Sequence, residues 1–134
     1  MADAVATQTI QDNGSTAIFR FTNVSDGTGE SAVTKIDVSA LAVDPLTGAA
    51  CTKVSIEKIQ YTTVGMGVKI FFDASSDVLA WQLKADDART FDFTDFTGIP
   101  NNAGSGVTGD IQFSTVSASS GNVYVIVMQV RKHF

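Results

Sequence analysis

The sequence predicts an all-β protein: a single-domain antiparallel β-sandwich, jelly-roll-like, of about eight or nine strands. Three observations lead there. Apolar residues recur with a period close to two along most of the 134-residue chain, which is the side-chain period of a half-buried strand. Thr, Val, Ile and Phe dominate these runs, and their shapes suit a pleated surface. Clusters of Gly, Asn, Asp and Ser interrupt the runs at short intervals, as in sandwiches and jelly rolls.

The strands are expected near residues 5–11, 16–24, 32–38, 53–64, 67–73, 78–84, 89–94, 110–117 and 123–131. Ala17, Phe19 and Phe21 share one face of the second run, with Arg20 and Thr22 on the other. Val68, Ile70 and Phe72 alternate with Lys69 and Asp73, although Phe71 breaks the polar side. Val123-Tyr124-Val125-Ile126-Val127-Met128 is apolar on both sides and reads as a central strand covered on both faces. The stretch from Ser76 to Ala85 is ambiguous, since Val78, Trp81 and Ala85 would share a helical face. Leu79, Trp81 and Leu83 equally share a strand face, and neighbouring strands favour that reading.

Turn chemistry marks the joints. Asp12-Asn13-Gly14-Ser15 contains Asn-Gly, which tolerates the positive φ of a tight hairpin. Asp26-Gly27-Thr28-Gly29 closes the second strand, Gly65-Met66-Gly67 suggests a hairpin or bulge, and Ser119-Ser120-Gly121-Asn122 introduces the last strand. Two connections are long. Residues 39–50 contain Asp44-Pro45 and Thr47-Gly48 and form no single regular element. Residues 95–109, rich in Gly and Asn, form the kind of long loop that is functional or mobile in a compact domain.

Charge narrows the partners. Nine Lys and Arg against 14 Asp and Glu leave a net charge of −5. Nucleic acids and anionic membranes are bound chiefly through basic residues, so neither partner is expected. The densest basic run, Arg131-Lys132-His133, reads as a solvated chain end. The N-terminal residues lack the basic and apolar regions of a secretory signal, and no apolar run is long enough to span a bilayer. Synthesis in the cytoplasm is the expectation. The lone Cys51 cannot form an intrachain disulfide and reads as a small buried apolar group.

Few residues suggest chemistry. The single histidine, His133, stands next to the last residue, where little would hold a general base in place. One Cys and one His do not supply a zinc site. Asp86-Asp87 and Asp92 with Asp95 lack the alternating ligand spacing of a calcium loop and read as acidic turns. Gly65-Met66-Gly67 lacks the remaining features of a dinucleotide fingerprint, and the glycines at 104–109 lack a P-loop lysine. Trp81, Tyr61, Phe71 and Phe96 would form a sugar platform only if exposed. No catalytic, cofactor or metal residue is assigned, and the protein is expected not to be an enzyme.

Several segments resemble small virion structural proteins of tailed phages. The strongest runs from Phe19-Arg20-Phe21-Thr22-Asn23-Val24-Ser25-Asp26-Gly27-Thr28-Gly29-Glu30-Ser31 through Lys35-Ile36-Asp37-Val38-Ser39-Ala40-Leu41. Gly65-Met66-Gly67 before Phe71-Phe72-Asp73 is similar as well, as is Asn101-Asn102-Ala103-Gly104 leading to Gly109-Asp110-Ile111. The resemblance spans about residues 8–131. It implies a non-enzymatic virion protein of the head-decoration or cement type, bound to the major capsid protein or other virion subunits. Its partners extend to further copies of itself as a homo-oligomer; a tail tube, baseplate or fibre role is an alternative, and a carbohydrate-binding sandwich is another. On this reading an N-terminal arm, residues 1–8, and the 95–109 loop make the contacts. Asp3, Val5, Phe96, Ile99, Asn101 and Asn102 are the candidate contact residues.

Overall fold

A computed structural model describes residues 4–96 and 98–134. Nine strands form in the order β1 (Ala4–Asp12), β2 (Thr16–Asp26), β3 (Val33–Ile36), β4 (Lys53–Val64), β5 (Gly67–Phe72), β6 (Val78–Leu83), β7 (Asp87–Asp92), β8 (Ile111–Val116) and β9 (Ser120–His133). They make two antiparallel sheets, β1-β2-β9-β4-β7 and β3-β8-β5-β6. The strand reading of residues 78–83 is correct: Trp81 pairs with Ile70 in the second sheet.

The topology is a jelly roll. The first half of the β2–β9 run pairs with the second half in nested order: β2 with β9, β3 with β8, β4 with β7, and β5 with β6. The long ribbon then wraps on itself, so that β4 joins β9 and β5 joins β8. Two sheets result, and β1 is an extra strand at the edge of the first.

Alternation along each strand builds the core between the sheets. Phe19, Phe21, Ile56, Ile59, Ile126 and Met128 from the first sheet face Val68, Ile70, Phe72, Ile111 and Phe113 from the second, all buried. Phe21 and Phe113 meet edge to face across the interface, with ring centroids 5.1 Å apart. Each fully buried side chain of this kind contributes roughly 1.5–3 kcal/mol of transfer free energy. Cys51 is buried as expected. At one end, Glu30 closes a polar cluster. It takes hydrogen bonds from Asn23 Nδ2 at 3.0 Å, Lys35 Nζ at 2.5 Å and Tyr124 Oη at 2.5 Å.

Several expectations need correction. The β1–β2 hairpin forms, but neither Asn13 nor Gly14 takes a positive φ. The Asn13 side chain holds the turn instead, its Oδ1 accepting from Ser15 N and Thr16 N. Gly65-Met66-Gly67 is no hairpin, because β4 and β5 lie in different sheets. It is a corner between sheets: Gly65 has φ of +80°, and a Cβ there would stand 2.3 Å from Asn122 Oδ1. The third strand is shorter than 32–38, because Asp37 caps a 3₁₀ turn at Val38–Ala40. β9 is central, but only its inner face is covered: Tyr124, Ile126 and Met128 are buried, whereas Val123, Val125 and Val127 stay partly exposed.

Candidate interaction surface

β1 meets solvent on three sides. It pairs with β2 along one edge, from Ala4 opposite Val24 to Asp12 opposite Ala17, with an irregularity between Thr9 and Gln11. Among the described residues, no strand lies beside its other edge. Val5, Thr7 and Thr9 lie opposite Asn23, Phe21 and Phe19, on the face that forms the core elsewhere. Their β2 partners are buried, yet every residue from Ala4 to Gln11 is exposed, with Val5 at 49%. The second sheet therefore does not extend over β1.

Composition sets this edge apart. Residues 4–11 read AVATQTIQ, without a charge or a proline. Natural sheets guard their edges with charges, prolines, bulges or brevity, because a bare edge offers unpaired N–H and C=O groups to any extended chain. The other three outer strands show such guards. β7 carries Asp87, Arg89 and Asp92. β3 has four residues, one of them Lys35. β6 has six, and a bulge breaks its pairing with β5. On β1 the irregularity near Ile10 leaves Ala4–Thr9 in regular pairing.

The outer face of the same sheet continues the uncharged surface. Ala4, Val24, Val123 and Val64 form one row across four strands. Ala6, Thr22, Val125, Thr62 and Ala88 form the next. Val24 and Val64 are about half exposed, at 51% and 52%. Cross-strand pairing thus assembles an apolar strip from residues far apart in sequence, which no local motif announces. The uncharged octet of β1 is the one part of this surface that the sequence displays directly.

The sequence-derived contact residues do not form one surface. Asp3 lies outside the described residues, as does the Phe96 side chain. Val5 belongs to β1, so residues 4–8 are strand and not a free arm. Ile99, Asn101 and Asn102 belong to a segment that runs beside β4 near the opposite end of the sheet, where Ile99 bridges Ile56. Val123 and Arg131, which mark those ends on β9, are about 26 Å apart at about 3.3 Å per residue. Ile99 is not a free contact either. It packs on the core and exchanges hydrogen bonds with Ile56, Ile56 N to Ile99 O at 3.0 Å and Ile99 N to Ile56 O at 2.8 Å. Asn101 is partly buried, with Oδ1 accepting from Ala103 N at 2.9 Å, and Asn102 is exposed. The rest of the connection is tied down by Thr108, which donates from N to Asp73 O and from Oγ1 to Asp73 Oδ2.

The other candidates resolve similarly. Tyr61 is buried and donates to Asp87 Oδ2 at 2.8 Å, and Trp81 packs edge to face on Phe91 and Phe93. Neither offers a flat exposed ring to a sugar. Asp86 accepts from Gly65 N, and Asp92 from Thr94 N and Oγ1, so these carboxylates fasten turns. Arg131-Lys132-His133 is strand rather than a solvated end: Lys132 turns inward and is buried, while Arg131 and His133 turn outward.

Fold and surface together define a jelly-roll β-sandwich with one unguarded edge strand. No family model and no curated protein matches the chain. Among solved structures it is similar to a cupin superfamily protein from Desulfitobacterium hafniense DCB-2, with 10% identity over all of this chain and 82% of that one, at a TM-score of 0.37.

Proposed function

We propose that this protein is a non-enzymatic structural subunit of a tailed-phage particle. Its role is that of a head decoration or cement protein that docks on the shell through β1. The observation that carries this reading is the bare edge of β1, uncharged over eight residues and exposed on both faces. An extended segment of the major capsid protein would add to that edge as a further strand. The main-chain ladder would supply affinity, and the side-chain pattern of β1 specificity. The net charge of −5 favours a basic rim around the partner's edge. The resemblance of residues 8–131 to virion proteins supplies the biological setting. A location in the tail tube, baseplate or fibre would use the same edge, and a carbohydrate-binding role lacks the exposed Tyr61 and Trp81 it requires.

The experiment is immunogold imaging of intact source particles with an antibody to this protein. Label spread over the head is the expected result. Label confined to the tail would move the subunit there, and absence of label from particles would overturn the virion reading.

A further inference from the structure

We infer that the outer face of the β4–β9 pair carries a binding site for a small molecule with an oxyanion head, a phosphate or a carboxylate, in a recess floored by Ser55 and His133. The recess measures about 410 Å³, within the size range of small-molecule sites. Lys53 and Ser55 come from β4, Arg131 and His133 from β9, and Pro100 and Asn101 from the connection that crosses beside them.

Strand register builds it. Lys53 pairs with His133, and Ser55 with Arg131, so all four side chains emerge on one face. The diagonal neighbours Ser55 Oγ and His133 Nε2 are 2.7 Å apart. Gly98 lets the connection approach: its φ is +90°, and a Cβ there would stand 2.9 Å from Ile56 O. The Ile56–Ile99 bridge then fixes Pro100 and Asn101 beside the strands.

The groups around the recess are mostly donors. Lys53 and Arg131 are cations, in a chain that is acidic overall. Asn101 Oδ1 is already engaged by Ala103 N, which fixes the orientation of the amide. Its Nδ2 is buried and has no hydrogen-bond partner among the described residues. A buried donor left unpaired costs about 1–3 kcal/mol, and an oxyanion offers the acceptor it lacks. Among the described residues one acid acts on the recess, Glu57, with Oε2 4.0 Å from Arg131 Nη1 and Oε1 3.4 Å from Gln129 Nε2. The Arg131–Glu57 ion pair is too long for a hydrogen bond, so the guanidinium keeps N–H donors for a ligand. The arrangement is one for binding rather than for hydrolysis. Among the described residues, the side-chain hydrogen bond of the imidazole goes to Ser55, and no carboxylate orients the ring as a nucleophile's base requires.

Protonation would be linked to binding. Burial, then Lys53 and Arg131, hold the His133 imidazole below its ordinary range, with Glu57 acting in the opposite direction. The connection contributes no titratable group at Pro100 or Asn101. An anion placed between these groups favours the imidazolium, so affinity rises as pH falls through the imidazole range.

The test uses the full chain and its single histidine, whose two ring C–H protons give NMR signals assignable without ambiguity. Inorganic phosphate and acetate are titrated in separate arms, each against chloride at matched ionic strength. The expected result is a saturable shift of the His133 signal with phosphate, acetate or both, together with roughly tenfold tighter proton binding at the ring. The Lys53→Gln/Arg131→Gln double variant, altered at two exposed positions, should keep its fold and lose the response. A response that does not saturate, that chloride reproduces, or that persists in the double variant would overturn the proposal.

Discussion

Lys132 Nζ lies 2.7 Å from Asp12 Oδ1, joining the end of β9 to the end of the edge strand β1 across the intervening β2. The lysine side chain is fully buried, whereas the aspartate keeps 19% of its side-chain surface. Lys132 also donates to Asn13 O, and Asp12 Oδ2 accepts from Ala42 N. Since β1 buries so little side-chain surface, this pair and the β2 ladder are what hold it.

The asymmetric burial predicts asymmetric costs. Asp12→Ala leaves an ammonium buried without its carboxylate and should destabilise by roughly 3 kcal/mol. Lys132→Met leaves Asp12 with water and the Ala42 amide, and should cost less than about 1 kcal/mol. Urea midpoints of the two variants measure the difference, and equal losses would contradict this account. Amide exchange in β1 should quicken in Asp12→Ala, since the strand loses its anchor.

A second pair makes stability depend on pH at both extremes. Burial, and then its hydrogen bond to Asp87, push the Tyr61 phenol up to about 12. The same hydrogen bond holds the Asp87 carboxyl below its ordinary value. For Tyr61 the folded value is the higher one. Its stabilisation is complete below the unfolded value near 10 and is lost as pH rises toward about 12. For Asp87 the folded value is the lower one, so its stabilisation is present above 3.8 and is lost as pH falls through the depressed value. Tyr61→Phe should flatten both limbs of the stability–pH curve, with the loss of one late-titrating phenol visible in ultraviolet absorbance. An unchanged alkaline limb would show that Tyr61 is not its source.

Two glycines with similar backbone angles should respond differently to a methyl group. Gly109 has φ of +89°, and a Cβ there would meet Thr52 O at 1.9 Å. Gly48 has φ of +73° and no atom within 4 Å of such a Cβ. Gly48→Ala bears only the left-handed strain, about 1 kcal/mol. Gly109→Ala must also push the backbone away from β4, and roughly 3 kcal/mol or more is expected. Thermal unfolding of the two variants side by side tests the difference, and equal Tm values would contradict it.

What could be read from the sequence was local. The alternation from Lys53 to Val64 and from Val68 to Phe72 marked strands with nearly correct limits. Asp12-Asn13-Gly14-Ser15 marked a hairpin, because a turn's position depends on its own residues. What stayed hidden depends on which strands become neighbours. Nothing within Gly65-Met66-Gly67 says that the next strand joins the other sheet. Nothing in Val123-Tyr124-Val125 says which face the second sheet covers. Ser55 and His133 are 78 residues apart, and only the β4–β9 register brings them within 2.7 Å. Position in the chain also misled: His133 looked like an unsupported end residue, yet it sits in a ladder opposite Lys53.

The bare edge yields the most direct functional prediction. If β1 docks by adding a strand, charges placed on it should block docking without harming the fold. Val5 and Thr7 suit this test because both are exposed and face no second sheet. Val5→Lys/Thr7→Lys adds the kind of charge by which natural edge strands avoid pairing. As a surface change it should leave the unfolding free energy from urea titration within about 0.5 kcal/mol of the parent. Binding to particles stripped of this protein should fall roughly tenfold or more, equivalent to about 1.4 kcal/mol. A control pair on the guarded strand β6, Leu79→Lys/Gln82→Lys, adds the same charge to exposed positions of the other sheet. If both pairs weaken binding equally, the effect is one of overall charge, and the edge of β1 is not the contact. If only the β1 pair does so, the contact lies on that edge.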